Sequence, residues 1–100
     1  MAGARIAFTL PVPWDRAAVA LERAIEEGRT HLELVERGNG YWHLHAGSTT
    51  VHIGLRIESA ATTLIWVVAR RRGLGILGGG RAETLLRTVR EDVERSLLAA

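Results

Sequence analysis

The sequence predicts an α+β protein of order β-α-β-β-β-β-α, with one antiparallel sheet of about five strands and two helices packed on one face. Three observations predict it. From about Thr30 to Arg72 apolar and polar residues alternate almost without a break, which is the period of half-buried strands. Turn-forming groups at Gly38-Asn39-Gly40, Gly47-Ser48-Thr49 and Ser59-Ala60-Ala61 cut that block into hairpin-linked segments. Segments of helical period flank it on both sides. A chain of 100 residues makes a single domain, 1–100, around one core.

The elements follow in chain order. Arg5 to Leu10 read as a first strand with Ile6, Phe8 and Leu10 on one face, and Pro11 and Pro13 stop it because proline cannot donate to a ladder. A helix runs from Trp14 or Asp15 to Glu27. Its apolar stripe is Trp14, Ala18, Leu21 and Ile25; Asp15 suits the positive helix start and Gly28 the C-terminal cap. Four strands are expected at about 30–37, 41–47, 50–58 and 62–72. Val51, Ile53, Leu55 and Ile57 share a face and should centre the core, with Trp42, Leu44 and Ala46 beside them. A glycine-rich stretch, Gly73 to Gly80, leads into a last helix over about 81–98. Its buried stripe is Leu86, Val89, Val93 and Leu97, and its outer face carries Glu83–Arg87, Arg87–Glu91, Arg90–Glu94 and Glu91–Arg95 as solvated pairs four residues apart. Ile53 and Val93, at the centres of the two stripes, are expected to meet in one cluster.

Composition narrows the function classes. Apolar residues are 47% and charged residues 24% of the chain, which excludes disorder. The absence of cysteine excludes disulfides and thiolate sites. The longest weakly polar run, Ala60 to Ala69, is about half a membrane span. The N-terminus has no basic region followed by a continuous apolar core. A soluble cytoplasmic protein without membrane attachment is therefore expected. The net charge is only +2, and the pI near 10.4 arises because all the basic residues are arginines, which stay charged to very high pH. A pI raised in this way is little evidence for nucleic acid.

Several constellations carry a chemical reading and a blander one. Gly73-Leu74-Gly75-Ile76-Leu77-Gly78 satisfies G-x-G-x-x-G. No strand follows its helix to complete a βαβ unit, so it reads as a loop, and no cofactor is expected. Arg70, Arg71, Arg72 and Arg81 could hold an anion beside a helix N-terminus, although a solvated strand end is the commoner meaning of such a run. A two-residue loop at Ser48-Thr49 would set His45 opposite His52, and a three-residue loop at Gly38–Gly40 would set Glu33 opposite His45. Two imidazoles and a carboxylate are a plausible zinc set, but polar residues belong on an outer sheet face in any case. No Ser–His–Asp set can be argued, and Asp15 and Asp92 are placed on helix surfaces. Finally, the strand from Thr62 to Arg70 is apolar on both faces, with Thr62, Leu64, Trp66, Val68 and Arg70 on one and Thr63, Ile65, Val67 and Ala69 on the other. Two helices on one side of a sheet cover only one of these. The other should join Tyr41, His43 and Gly54 in an exposed patch, the usual mark of an interface, so a homo-oligomer is expected.

The strand into Leu10-Pro11-Val12-Pro13-Trp14 and its helix, together with Trp66-Val67-Val68, Gly73-Leu74-Gly75 and the long last helix, resemble the two ends of helix-grip proteins of the START/Bet v 1, polyketide cyclase-like superfamily. The chain would be a miniature, with about five strands for seven and one early helix for two. The strand order is also similar to one repeat of the TATA-binding-protein-like fold. The first resemblance implies an apolar small molecule held between sheet and last helix, lined by Trp42, Ile53, Leu55, Trp66, Val89 and Val93; with no catalytic set and an apolar strand face left over, a non-enzymatic binding or assembly module that self-associates is expected. The second implies nucleic-acid binding through the open sheet face. Only Arg37, Arg56 and Arg70 would serve it there, so nucleic acid is not expected. A small metal-dependent or acid–base enzyme ranks third.

Overall fold

The computed structural model describes residues 3–71 and 78–99. The elements run in the order β1 (Gly3–Leu10), α1 (Trp14–Glu27), β2 (Glu33–Gly38), β3 (Tyr41–Ala46), β4 (Thr49–Ser59), β5 (Thr62–Arg71) and α2 (Gly78–Ala99). The five strands form one antiparallel sheet in the order β1-β5-β4-β3-β2. The chain thus leaves one edge of the sheet after β1, crosses through α1, lands on the far edge as β2 and meanders back until β5 closes against β1. Among the described residues, no helix is long and apolar enough to cross a membrane.

Alternation along each strand sorts the sheet into two faces. Phe8, Leu10, Trp42, Leu44, Val51, Ile53, Ile65, Val67 and Ala69 are buried on one face, and α1 and α2 close over them with Ala17, Leu21, Ala24, Leu86, Val89 and Val93. Ile53 and Val93 belong to this one cluster, as the two stripes require. Thr63 is the polar member of the buried face, and its hydroxyl donates to the Val12 carbonyl at 3.0 Å. The core ends short of the sequence expectation on β4, where Ile57 is 66% exposed.

Two helix expectations need correction. The closed face of α1 is Ala17, Ala20, Leu21 and Ala24, with Ala18 and Ile25 partly buried. Small side chains let α1 approach its neighbours, so the buried arc is turned toward the alanines. Trp14 lies instead against Gly40 in the β2–β3 turn. On α2, Asp92 is not on the surface: it is 3% exposed, beside the buried Val89 and Val93. Of the expected four-apart pairs on this helix, Arg90–Glu94 forms, at 3.4 Å, while Glu91 instead meets Arg29 at 2.8 Å.

Asp92 ties α2 to the segment that follows α1. Its Oδ2 accepts the backbone N–H of Arg29 at 2.9 Å and the Thr30 hydroxyl at 3.2 Å. Its Oδ1 accepts Arg29 Nε at 3.0 Å and an Arg95 N–H at 3.2 Å. Burial alone would raise its pKa, but hydrogen bonds from the Arg29 side chain and backbone and from Thr30 outweigh that and hold it below the usual carboxylate value. Gly28 makes the approach possible, since a Cβ there would stand 2.2 Å from the Ala24 carbonyl oxygen and 2.6 Å from Asp92 Oδ2.

Candidate functional site

The face of the sheet away from both helices is the candidate site, and the strand register builds it row by row. The central row reads Arg5, Val68, His52, His43 and Glu36 across β1, β5, β4, β3 and β2. The row on one side reads Gly3, Arg70, Thr50, His45 and Glu33, and the row on the other reads Ala7, Trp66, Gly54, Tyr41 and Gly38. Leu64 of β5 and Arg56 of β4 pair beyond these.

The centre of this face is an aromatic and imidazole layer. His43 and His52 stack with ring centroids 4.5 Å apart and planes 16° from parallel. His45 meets His43 edge-on at 5.4 Å. Tyr41 stands 5.8 Å from the His52 ring and 6.5 Å from the Trp66 ring, and its hydroxyl shares a hydrogen bond with His52 Nδ1 at 2.5 Å. The Trp66 indole lies flat over Gly54, where a Cβ would come within 2.0 Å of it. Glycine inside a strand is the expected sign of such a close approach.

These side chains are half-buried on the isolated chain. Burial, then the neighbouring His43 and Arg70 charges, hold His52 below the usual imidazole pKa, so it is neutral at neutral pH. His43 Nε2 is shut off from water and has no hydrogen-bond partner among the described residues. A layer of stacked rings beside Val68 and Leu64 is chemically an apolar surface, suited to packing against another surface.

The structure redistributes the sequence-derived candidates. Of the expected ligand lining, Trp42, Ile53, Val89 and Val93 sit in the closed core, and Leu55 packs at its margin. The Trp42 indole N–H points at Glu22 at 3.4 Å. Trp66 lies on the opposite face: it pairs with Gly54 while Ile53 pairs with Val67, so Trp66 and Ile53 cannot share one side of the sheet.

The expected row Glu33, His45, His52 is also corrected. Glu33 does oppose His45, but by a different route: the β2–β3 turn is Asn39-Gly40, and a bulge between Leu34 and Glu36 takes up the extra residue. The β3–β4 turn falls on Gly47-Ser48, with Gly47 at φ +62°, not on Ser48-Thr49. Register therefore slides by two residues, putting His52 opposite His43 and His45 opposite Thr50. Among the described residues, no group of three His, Cys, Asp or Glu is placed to hold one metal ion.

Arg37 leaves the open face, because the two-residue Asn39-Gly40 turn sets it opposite Trp42 on the helix side, where it pairs with Glu22. Arg5 takes a place there that the sequence reading missed. Of the anion set, Arg70 lies on the open face, Arg71 ends β5 and Arg81 falls in the first turn of α2. Arg72 and most of the G-x-G-x-x-G segment lie outside the described residues.

No family model and no curated protein matches the chain. Among solved structures it is similar to the Zhui aromatase/cyclase from Streptomyces sp. R1128, at 14% identity over 97% of this chain and 91% of that one, with a TM-score of 0.48. It is also similar to TTHA0849 from Thermus thermophilus, at 14% identity over 97% of each chain, with a TM-score of 0.46. At this level of similarity no activity, ligand or site passes to this chain.

Proposed function

We propose that this protein is a non-enzymatic assembly module that works by self-association through the open face of its sheet. The observation that carries the reading is the half-buried layer of Tyr41, His43, His52, Trp66 and Val68 on the face away from both helices. Such a layer costs free energy while it faces water. Five strands spaced about 4.8 Å apart and some 30 Å long offer roughly 600 Å² in plan, close to the roughly 800 Å² per partner of a standard interface.

The space between sheet and α2 supports a ligand less well. Ile53, Leu86, Val89 and Val93 fill it with side chains that water does not reach. The test is sedimentation of the purified protein at tens of micromolar. The expected result is a dimer or higher closed oligomer, and a monodisperse monomer would refute the reading. Native mass spectrometry on the same sample reports any bound small molecule or metal.

A further inference from the structure

We infer that the second copy packs face to face about a twofold axis that runs along β4, so that Arg5 of each chain meets Glu36 of the other. The inference rests on the self-association proposed above and adds its geometry. Charge is divided across the open face. Arg5 and Arg70 stand on β1 and β5, while Glu33 and Glu36 stand on β2, the opposite edge. All four side chains are exposed, and none has an ion pair within the chain among the described residues. Between them lies the layer of stacked rings.

Two twofold arrangements stack such a face on itself with the strands of the two sheets aligned, and charge separates them. An axis across the strands would lay β1 on β1 and β2 on β2, setting arginine over arginine and glutamate over glutamate. An axis along the central strand β4 lays β1 on β2. The central row Arg5, Val68, His52, His43, Glu36 then runs over its own reverse. Arg5 meets Glu36, Val68 meets His43, and His52 meets His52 on the axis. The next row sets Arg70 near His45 and brings Gly3 over Glu33. The two edges thus face each other with opposite charge at Arg5 and Glu36, twice over, against a single like-charge approach of Arg56 to its own copy farther along β4, and that balance favours a self-complementary twofold contact of this hand. The slight angle between packed sheets leaves this pairing within reach of two long side chains.

The test uses charge reversal and sedimentation. Arg5→Glu alone sets carboxylate against carboxylate, and Glu36→Arg alone sets guanidinium against guanidinium. Each should associate at least about tenfold more weakly than the unmodified chain. An equal mixture of the two variants should form a mixed dimer, because both of its contacts again pair opposite charges. The doubly reversed chain, Arg5→Glu with Glu36→Arg, should associate like the unmodified one. Both positions are exposed, and circular dichroism of each variant confirms the fold. Single variants that associate normally, or a mixture no tighter than its components, would overturn the axis while leaving the face in place. A monomeric unmodified protein would overturn the face itself.

Discussion

Asp92 and the His43–His52 pair are both polar groups drawn out of water, and the chain treats them in opposite ways. The Asp92 carboxylate accepts hydrogen bonds from Arg29, Thr30 and Arg95, and both of its oxygens are occupied. The cluster is closed on itself and needs nothing from outside. His43 and His52 are stacked, half-buried and incompletely satisfied, with His43 Nε2 unpartnered among the described residues. A satisfied polar cluster holds the fold together. A polar cluster that is desolvated but unfinished calls for an explanation, and the self-association proposed above supplies one.

The apolar layer between these clusters sets the scale of the largest effect. Ile53→Ala, beneath the open face and in the same buried cluster as Val93, should cost about 2–5 kcal/mol in chemical denaturation. A cost below about half a unit would mean that the two faces have been assigned the wrong way round.

Breaking the closed cluster comes next. Asp92→Ala leaves the Arg29 backbone N–H and the Thr30 hydroxyl without their acceptor and should cost about 1.5–3 kcal/mol, the range for hydrogen bonds to charged groups. Acid gives a second reading of it. The folded-state pKa of Asp92 lies below its ordinary value of 3.8. Its stabilisation is therefore complete above that value and is lost as pH falls below it. Denaturation midpoints of the unmodified protein should drop in that window, and Asp92→Asn should flatten the drop. An unchanged acid limb would remove Asp92 from the account of stability.

The open cluster should behave in the reverse manner. Trp66→Ser combined with Val68→Ser should abolish association while changing the stability of the single chain by about 1 kcal/mol or less, the usual scale for positions outside the core. Loss of folding would show that the face is covered from within. Its pH dependence lies elsewhere too. The His52 pKa in the folded protein is lowered from 6.5, so the folded, stacked state takes up its proton less readily than the unfolded chain. Stability and association should be full above that value and decline as pH falls below it. His52→Phe should keep association through the same window. Equal association at pH ~7.5 and ~5 would separate the histidines from the interface.

Much of this contrast was legible in the sequence, and the misses have physical causes. Alternation placed Leu64, Trp66 and Val68 on one face and Ile65 and Val67 on the other, and the one-sided position of the helices then exposes the first set. The β3–β4 register slipped by two because Gly47, not Ser48, opens the turn, and a two-residue slip changes partners without changing faces. The histidine pair was therefore on the right surface with the wrong neighbour. Asp92 was hidden among Arg90, Glu91, Glu94 and Arg95, which look like a solvated helix face. The available signal was its spacing, since it falls in the same stripe as Val89 and Val93. Its partners, Arg29 and Thr30, are 62 to 63 residues away in sequence, and no local pattern points to them.

The smallest effect expected is on nucleic acid, and it sharpens what the open face is for. A sheet face that binds a phosphate backbone needs cations spread along it. This face carries Arg5, Arg70 and Arg56, but Glu33 and Glu36 hold its far edge. With three phosphate contacts at most, the logarithm of affinity for duplex DNA should fall with the logarithm of salt at a slope no steeper than about −2.7. Binding should be weak at low salt and lost by physiological salt. The same carboxylates that oppose DNA are those assigned to meet Arg5 in a second copy, so Glu36→Arg should shift both properties in opposite directions. Duplex binding should rise as self-association falls. Tight binding by the unmodified protein at physiological salt, with sequence preference, would reassign this face from a second copy to nucleic acid.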